Sequence, residues 1–317
     1  MKKLLEKKSL LIFGAILLVY GILFTLLKTG VIGAYYEGII LLTFINIILA
    51  VSLNLIVGFT GQLCLGHAGF MAIGAYISAI ISTKANLPFF LAIIVGAIVS
   101  AFFAALIGFP TLRLTGDYFA ITTLAFCEII RVIIMNIDYV GGARGFTGIP
   151  TKTTISISFW VMILSVVIIY NIIHSSQGRA MLAVRENEIA AESMGVNAFK
   201  YKMTAFVIGA FFAGLAGGLY AHYMGYIQPT SFDYLTFVVF GGMGSLSGSI
   251  ISTGILTFLP ELLRGLQDYR MIIYPLALII LMIFRPQGLL GDKELSLKIF
   301  KLKNKKEIRD IEAGKEA

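Results

Sequence analysis

Charge is what this sequence has least of. Only 13% of its 317 residues are Asp, Glu, Lys or Arg, while 58% are hydrophobic; a soluble domain carries about 25% charge. A water-soluble fold of that composition would have too little polar surface to face solvent, and a disordered chain would need far more charge. Cysteine is nearly absent: Cys64 and Cys127 lie in apolar runs, which excludes a disulfide scaffold and says nothing about redox compartment. His67, His174 and His222 sit on separate segments with no Cys or carboxylate at ligand spacing, so no metal site is expected. No Gly-x-x-x-x-Gly-Lys-Ser/Thr stretch occurs, so no P-loop would hold ATP here. Neither a Ser/His/Asp arrangement nor the polar cluster of a lipid-modifying enzyme can be singled out, and an enzyme is not expected. Acidic residues inside apolar runs, which an ion-coupled carrier needs, are also few.

What is abundant is long apolar sequence. A bilayer core about 30 Å thick needs roughly 20 apolar residues of helix. Such runs occur at 9–27, 38–57, 63–82, 88–109, 118–137, 157–174 and 204–224, followed by a short run at 234–243 and two more at 246–263 and 271–284. Only closed barrels or helices satisfy their backbone in lipid, and runs of this length are helical. The first run follows Lys2, Lys3, Lys7 and Lys8 but is long for a signal peptide and has no cleavage site after it, so it reads as an uncleaved span. The expected fold is an all-α integral membrane protein, a polytopic helical bundle of about ten spans.

The net charge of +8 could suggest nucleic acid, but the basic residues collect at the chain ends and in one internal loop rather than along one face. That distribution is a topology record, since basic residues favour the cytoplasmic side. If 234–243 crosses, both termini are cytoplasmic and 18 of the 25 lysines and arginines lie inside; if it re-enters, the basic tail faces out. Ten crossings follow, with a basic cytoplasmic N-terminus at 1–8, a membrane domain at 9–285 and a basic cytoplasmic tail at 286–317. Nucleic acid is not an expected partner; the lipid bilayer is.

Near the outer end of the span at 118–137, Glu128 and Arg131 lie one helical turn apart and can pair structurally. Ala210, Gly214 and Gly218 repeat every four residues, as do Ala213, Gly217 and Ala221; Gly74 with Ser78 and Ala75 with Ala79 do the same. Small residues let helices approach closely, and intramolecular packing is their expected use. The run Gly241-Gly242-Met243-Gly244 reads as a flexible joint between membrane segments. Loop 175–203 is the only long charged stretch between spans. Rich in Ala, Glu, Met and Leu, it predicts a short amphipathic helix in which Arg185 pairs with Glu188 while Val184, Ile189 and Met194 supply apolar anchors. Gly195 ends that helix. Docking in a groove of another protein and lying flat on lipid both suit such a helix.

The core Glu188-x-Ala190-Ala191-x-x-x-Gly195 resembles the EAA loop of ABC-importer permeases. Further stretches run in order along the chain: Asn54–Phe70 (containing Gly58-Phe59-Thr60-Gly61-Gln62 and Gly66-His67-Ala68-Gly69), Leu112–Ala120, Gly141–Gly145, Gly241–Ser245 and Arg285–Leu289. With them the chain resembles the LivM-type permeases of branched-chain amino acid ABC transporters. It departs from that pattern at Cys127, where a small residue is usual, and between Ser231 and Gly241, where it is several residues shorter.

The resemblance implies a permease subunit in a prokaryotic cell membrane, paired with a homologous LivH-like subunit. Two cytoplasmic ATPases and an extracytoplasmic solute-binding protein would complete the importer. This chain would bind no cofactor, and ATP with Mg would belong to the ATPases. The resemblance makes Arg185, Glu188, Ile189, Ala190, Ala191, Glu192 and Gly195 the ATPase-coupling loop. Gln62, His67, Gly241, Gly242 and Gly244 are candidates for the translocation path or gate. Permeases for urea and short-chain amides share much of the pattern, and an ion-coupled secondary carrier is the alternative from another class.

Overall fold

The computed structural model describes residues 2–30, 33–114, 116–229 and 244–269, with single residues between 272 and 283. Its elements are α1 (Lys2–Lys28), α2 (Ala34–Thr60), α3 (His67–Thr83), α4 (Phe89–Thr111), α5 (Asp117–Asn136), α6 (Ile155–His174), α7 (Ser176–Glu186), α8 (Glu188–Ser193), α9 (Ala198–Met224) and α10 (Leu246–Leu262). Two-residue strands β1 (Phe146–Thr147) and β2 (Tyr226–Ile227) pair antiparallel, Phe146 opposite Ile227. Among the described residues six helices are long and apolar enough to cross a membrane: α2, α4, α5, α6, α9 and α10 with its 3-10 extension to Gly265. The protein is an all-α, multi-pass membrane protein. The apolar runs at 234–243 and 271–284 fall wholly or largely outside the described residues, as does the tail at 286–317.

Helix ends follow local chemistry. Thr154, Ser175, Asn187, Asn197 and Ser245 each accept a backbone N–H of the first turn that follows them. Gly61 and Gly225 take left-handed φ (71° and 69°) and close α2 and α9. One expected span is shorter than its apolar run: α3 starts at His67 rather than at residue 63. After Gly61 the chain runs non-helically to Gly66, which lies so close to the Thr123 carbonyl of α5 that a Cβ would not fit. Thr123 Oγ1 accepts the Leu65 amide at 3.1 Å, so irregular backbone is satisfied by protein where lipid could not do it.

At the centre stand α2, buried from Thr43 to Thr60 but for Asn46, and α9. Helices α3 and α4 pack on α9, α6 and α10 pack on α2, and α5 packs outside α3. The small residues form the seams. A side chain at Gly74 would collide with the Gly214 backbone, one at Gly217 with the Met71 carbonyl, and one at Gly214 with Ser100. The expected intramolecular use of both α9 rows is therefore the observed one. α1 leans on α6: the Tyr20 ring lies 5.3 Å from Phe159 and its hydroxyl donates to Ser156 Oγ at 2.9 Å.

The bundle has two ends. The C-terminus of α2, the start of α3, α7, α8 and the starts of α9 and α10 share one end. The opposite end carries the β1–β2 ribbon, the start of α2 beside the end of α10 (Tyr35 donates to Glu261), and Lys84 against Tyr139. Helices α9 and α10 thus run in the same direction.

Candidate functional site

Loop 175–203 folds as two helices, not one. Ser175 starts α7. Asn187 then adopts an extended conformation (φ −160°, ψ 107°) and its side chain accepts the Ala190 N–H at 3.0 Å, starting α8 anew. An Asn whose amide caps a new turn outcompetes continuation of the old helix. This break turns Arg185 and Glu188 apart, so the expected pair between them does not form. Arg185 instead bonds Glu186 at 2.6 Å and donates through Nη1 to the Gly58 carbonyl at 2.8 Å; Glu188 accepts from Lys202 Nζ at 2.6 Å. Gly195 does end the helix: at φ 83° it donates to Glu192 O, and Val196 donates to Ala191 O, a Schellman closure.

The apolar residues of the loop divide into two sets. Val184 and Ala191 are buried with Ala198, Val196 packing alongside, and these seat α8 on the bundle. Ile189 and Met194 point outward, 80% and 84% exposed, next to exposed Ala190 and Glu192. Of the three expected anchors, Val184 alone turns inward. The result is a knob with an apolar tip held by a rigid root.

Above α8 lies a cavity of about 430 Å³ bounded by Gln62, Asp117, Arg185, Asn187, Glu188 and Lys202, among others. Gln62 is thereby brought beside the loop; its Oε1 is buried and has no partner among the described residues. His67 is elsewhere, buried at the head of α3 with Nε2 2.9 Å from Ser52 Oγ and Nδ1 without a partner among the described residues. Gly241 and Gly242 lie outside the described residues. Gly244 is held: its N–H donates to Asn54 Oδ1 at 3.0 Å, while Asn54 Nδ2 donates to Ser245 O and Ser249 Oγ, each at 2.9 Å. Glu128 and Arg131 pair as expected, Oε2 to Nε at 2.8 Å, on α5 away from this cavity.

Sequence reading missed Asn54, Asn187 and Lys202. The available signal for Asn54 was an amide deep in an apolar run, since a buried polar group in lipid needs a partner. Together these contacts form a connected path: α8 through Glu188–Lys202 to α9, Arg185 to the last turn of α2, and Asn54 from α2 to the start of α10. Hydrogen bonds thus tie the two loop helices to α2 and α9, and α2 in turn to α10.

The permease component family of branched-chain amino acid transport systems matches residues 35–284. The high-affinity branched-chain amino acid transport system permease protein LivM of Escherichia coli strain K12 is 36% identical, over 73% of this chain and 64% of its own length. The probable LivM of Methanocaldococcus jannaschii is 23% identical over 65% of this chain and 69% of its own length. The E. coli permease protein LivH is 28% identical over 49% of this chain and 53% of its own length. The chain therefore spans somewhat less than two thirds of the E. coli LivM it matches. No solved structure matches it. With a match over most of its length, the chain belongs to the permease component family of branched-chain amino acid transport systems.

Proposed function

We propose that this chain is a membrane permease subunit of an ABC importer that carries leucine, isoleucine and valine into a prokaryotic cell. Its membrane domain at 9–285 pairs with a homologous LivH-like subunit, and both relatives by name are permease proteins of branched-chain amino acid transport. Two cytoplasmic ATPases consume ATP with Mg, and a solute-binding protein delivers substrate from outside. The observation that carries the reading is the knob at 188–195: two apolar side chains presented to water on a root tied into α2 and α9. Exposed apolar tips of that kind suit a protein groove. Closure of the ATPases would pull on the knob, and Arg185 and Glu188 would pass the displacement to the core helices, rocking the bundle between inward- and outward-open states.

Ten spans with both termini cytoplasmic complete the reading, with short basic segments at 1–8 and 286–317. Support comes from the parallel run of α9 and α10. Residues 228–229 lie at the ribbon end and Gly244 at the knob end, which supports a further crossing between them. Gly241 and Gly242 would let that short segment bend ahead of the anchored Gly244, and Gln62 and His67 would lie beside the path.

The test is reconstitution in liposomes with the partner ATPases, the LivH-like subunit and the binding protein, offering leucine, isoleucine, valine, urea and ribose. ATP-dependent uptake of the three branched amino acids is the expected result, reduced at least tenfold by Ile189→Asp with the complex still assembled. Preference for urea would reassign the substrate. Uptake by this chain alone under an ion gradient, or wild-type uptake by the Ile189→Asp complex, would sink the coupling account.

A further inference from the structure

Helix α5 crosses the membrane region with a charged pair that runs from just past its middle toward its outer end. Glu128 and Arg131 lie roughly 16 and 21 Å along a helix about 30 Å long. The pair is not sheltered by this chain: Glu128 is 42% and Arg131 41% exposed. Nor is it closed on itself. Arg131 uses Nε to reach Glu128 Oε2, and neither side chain has another hydrogen bond among the described residues. The two Nη groups and Glu128 Oε1 thus remain at the open face. Helix α4 shows what a lipid face of this protein looks like, an unbroken apolar surface through Phe90, Ile94, Ile98, Phe102, Leu106 and Phe109. Ionised groups at that depth avoid hydrocarbon and line protein-walled, watered space.

From this juxtaposition we infer that the open face of α5 lines the translocation path and that Glu128 and Arg131 form a transit site for the zwitterionic head of an amino acid. The inference rests on the permease reading and narrows it to substrates bearing both charges. The guanidinium Nη fork takes the α-carboxylate, a bidentate geometry suited to a planar anion, while Glu128 Oε1 accepts from the α-ammonium. When the path is empty the pair neutralises itself, so the face carries no net charge to trap ions. A zwitterion replaces one ion pair by two and leaves by restoring it, which gives light and reversible binding. The apolar side chain then lies along Ile121, Ala125 and Val132 on the same stripe. A neutral amide could use half the site at most.

The experiment uses the reconstituted complex in a Cys64→Ala, Cys127→Ala background. Ala125→Cys, beside the intact pair, should react with a charged, water-soluble thiol reagent, and leucine should slow that reaction; Leu106→Cys on α4 should resist it. Glu128→Gln and Arg131→Gln should each lower leucine uptake at least tenfold with complexes recovered in wild-type yield. The apolar pair Glu128→Leu with Arg131→Met covers the chance that single neutral variants misfold. A pair serving structure alone is replaceable by apolar side chains, so wild-type leucine uptake by that double variant overturns the inference, and persistent loss supports it. An Ala125→Cys as inert as Leu106→Cys also overturns it. Absence of leucine uptake in the parent complex would instead overturn the permease reading itself.

Discussion

Asn54 works harder than its size suggests. One carboxamide, fully buried on α2, satisfies the Gly244 N–H, the Ser245 carbonyl and the Ser249 hydroxyl, binding the start of α10 to the centre of the bundle. Asn54→Leu leaves the Gly244 N–H buried without its partner, a loss of about 1–3 kcal/mol, while the Ser245 carbonyl keeps the Ser249 N–H. The purified protein should melt several degrees lower, read by thermal unfolding in detergent. Glycine acts by omission at the α3–α9 seam. Gly74→Val would drive a side chain into the Gly214 backbone, an overpacking loss of about 1–3 kcal/mol or more. Gly254→Ala on α10 meets nothing within 4 Å and should leave the melting point of the isolated chain unchanged or slightly raised.

Among the elements, α8 separates what local sequence encodes from what it does not. Gly195 is legible, because a glycine following a run of helix formers has one common use and here takes φ 83°. Asn187 is not, since in a stretch of Ala, Glu and Leu it reads as one more helical residue until its side chain caps Ala190. The partner of Glu188 is likewise hidden: Lys202 lies 14 positions on, across a turn, where the three-or-four spacing rule cannot reach. A β-branched residue at Gly195 should be costly by about 1–2 kcal/mol through its left-handed φ alone, as there is open space around it. Gly195→Val should accordingly unlatch the end of α8, speed amide exchange over 188–196 and lower ATP-driven uptake; Gly195→Asn, tolerated in that conformation, should keep most of both.

For the whole molecule, the spans were legible because apolar length is a property of the chain alone. Eight of the ten expected runs coincide with described helices, from α1 to α10, and the other two fall wholly or largely outside the described residues. The start of α3 was not legible, because it is set by contact with Thr123 rather than by hydropathy. The two-ended bundle makes a simple mapping prediction. In a cysteine-free background, Met194→Cys should be labelled by an impermeant reagent only from the cytoplasmic side and Lys152→Cys only from the other. Labelling of both from one side would contradict the alternation of α6 and α9.

The envelopment of α2 has a consequence for biogenesis. This helix leaves the ribosome before α9 and is greasy enough to enter lipid unaided, yet its final neighbours include α9, which begins 138 residues after α2 ends. Until α9 is synthesised, the narrow glycine grooves of α3 and α4 stand empty and the α9-facing side of α2 meets acyl chains instead of protein. Insertion and final packing are therefore separated in time, because the seams of α3, α4 and α2 with α9 close only after residue 198 has been made.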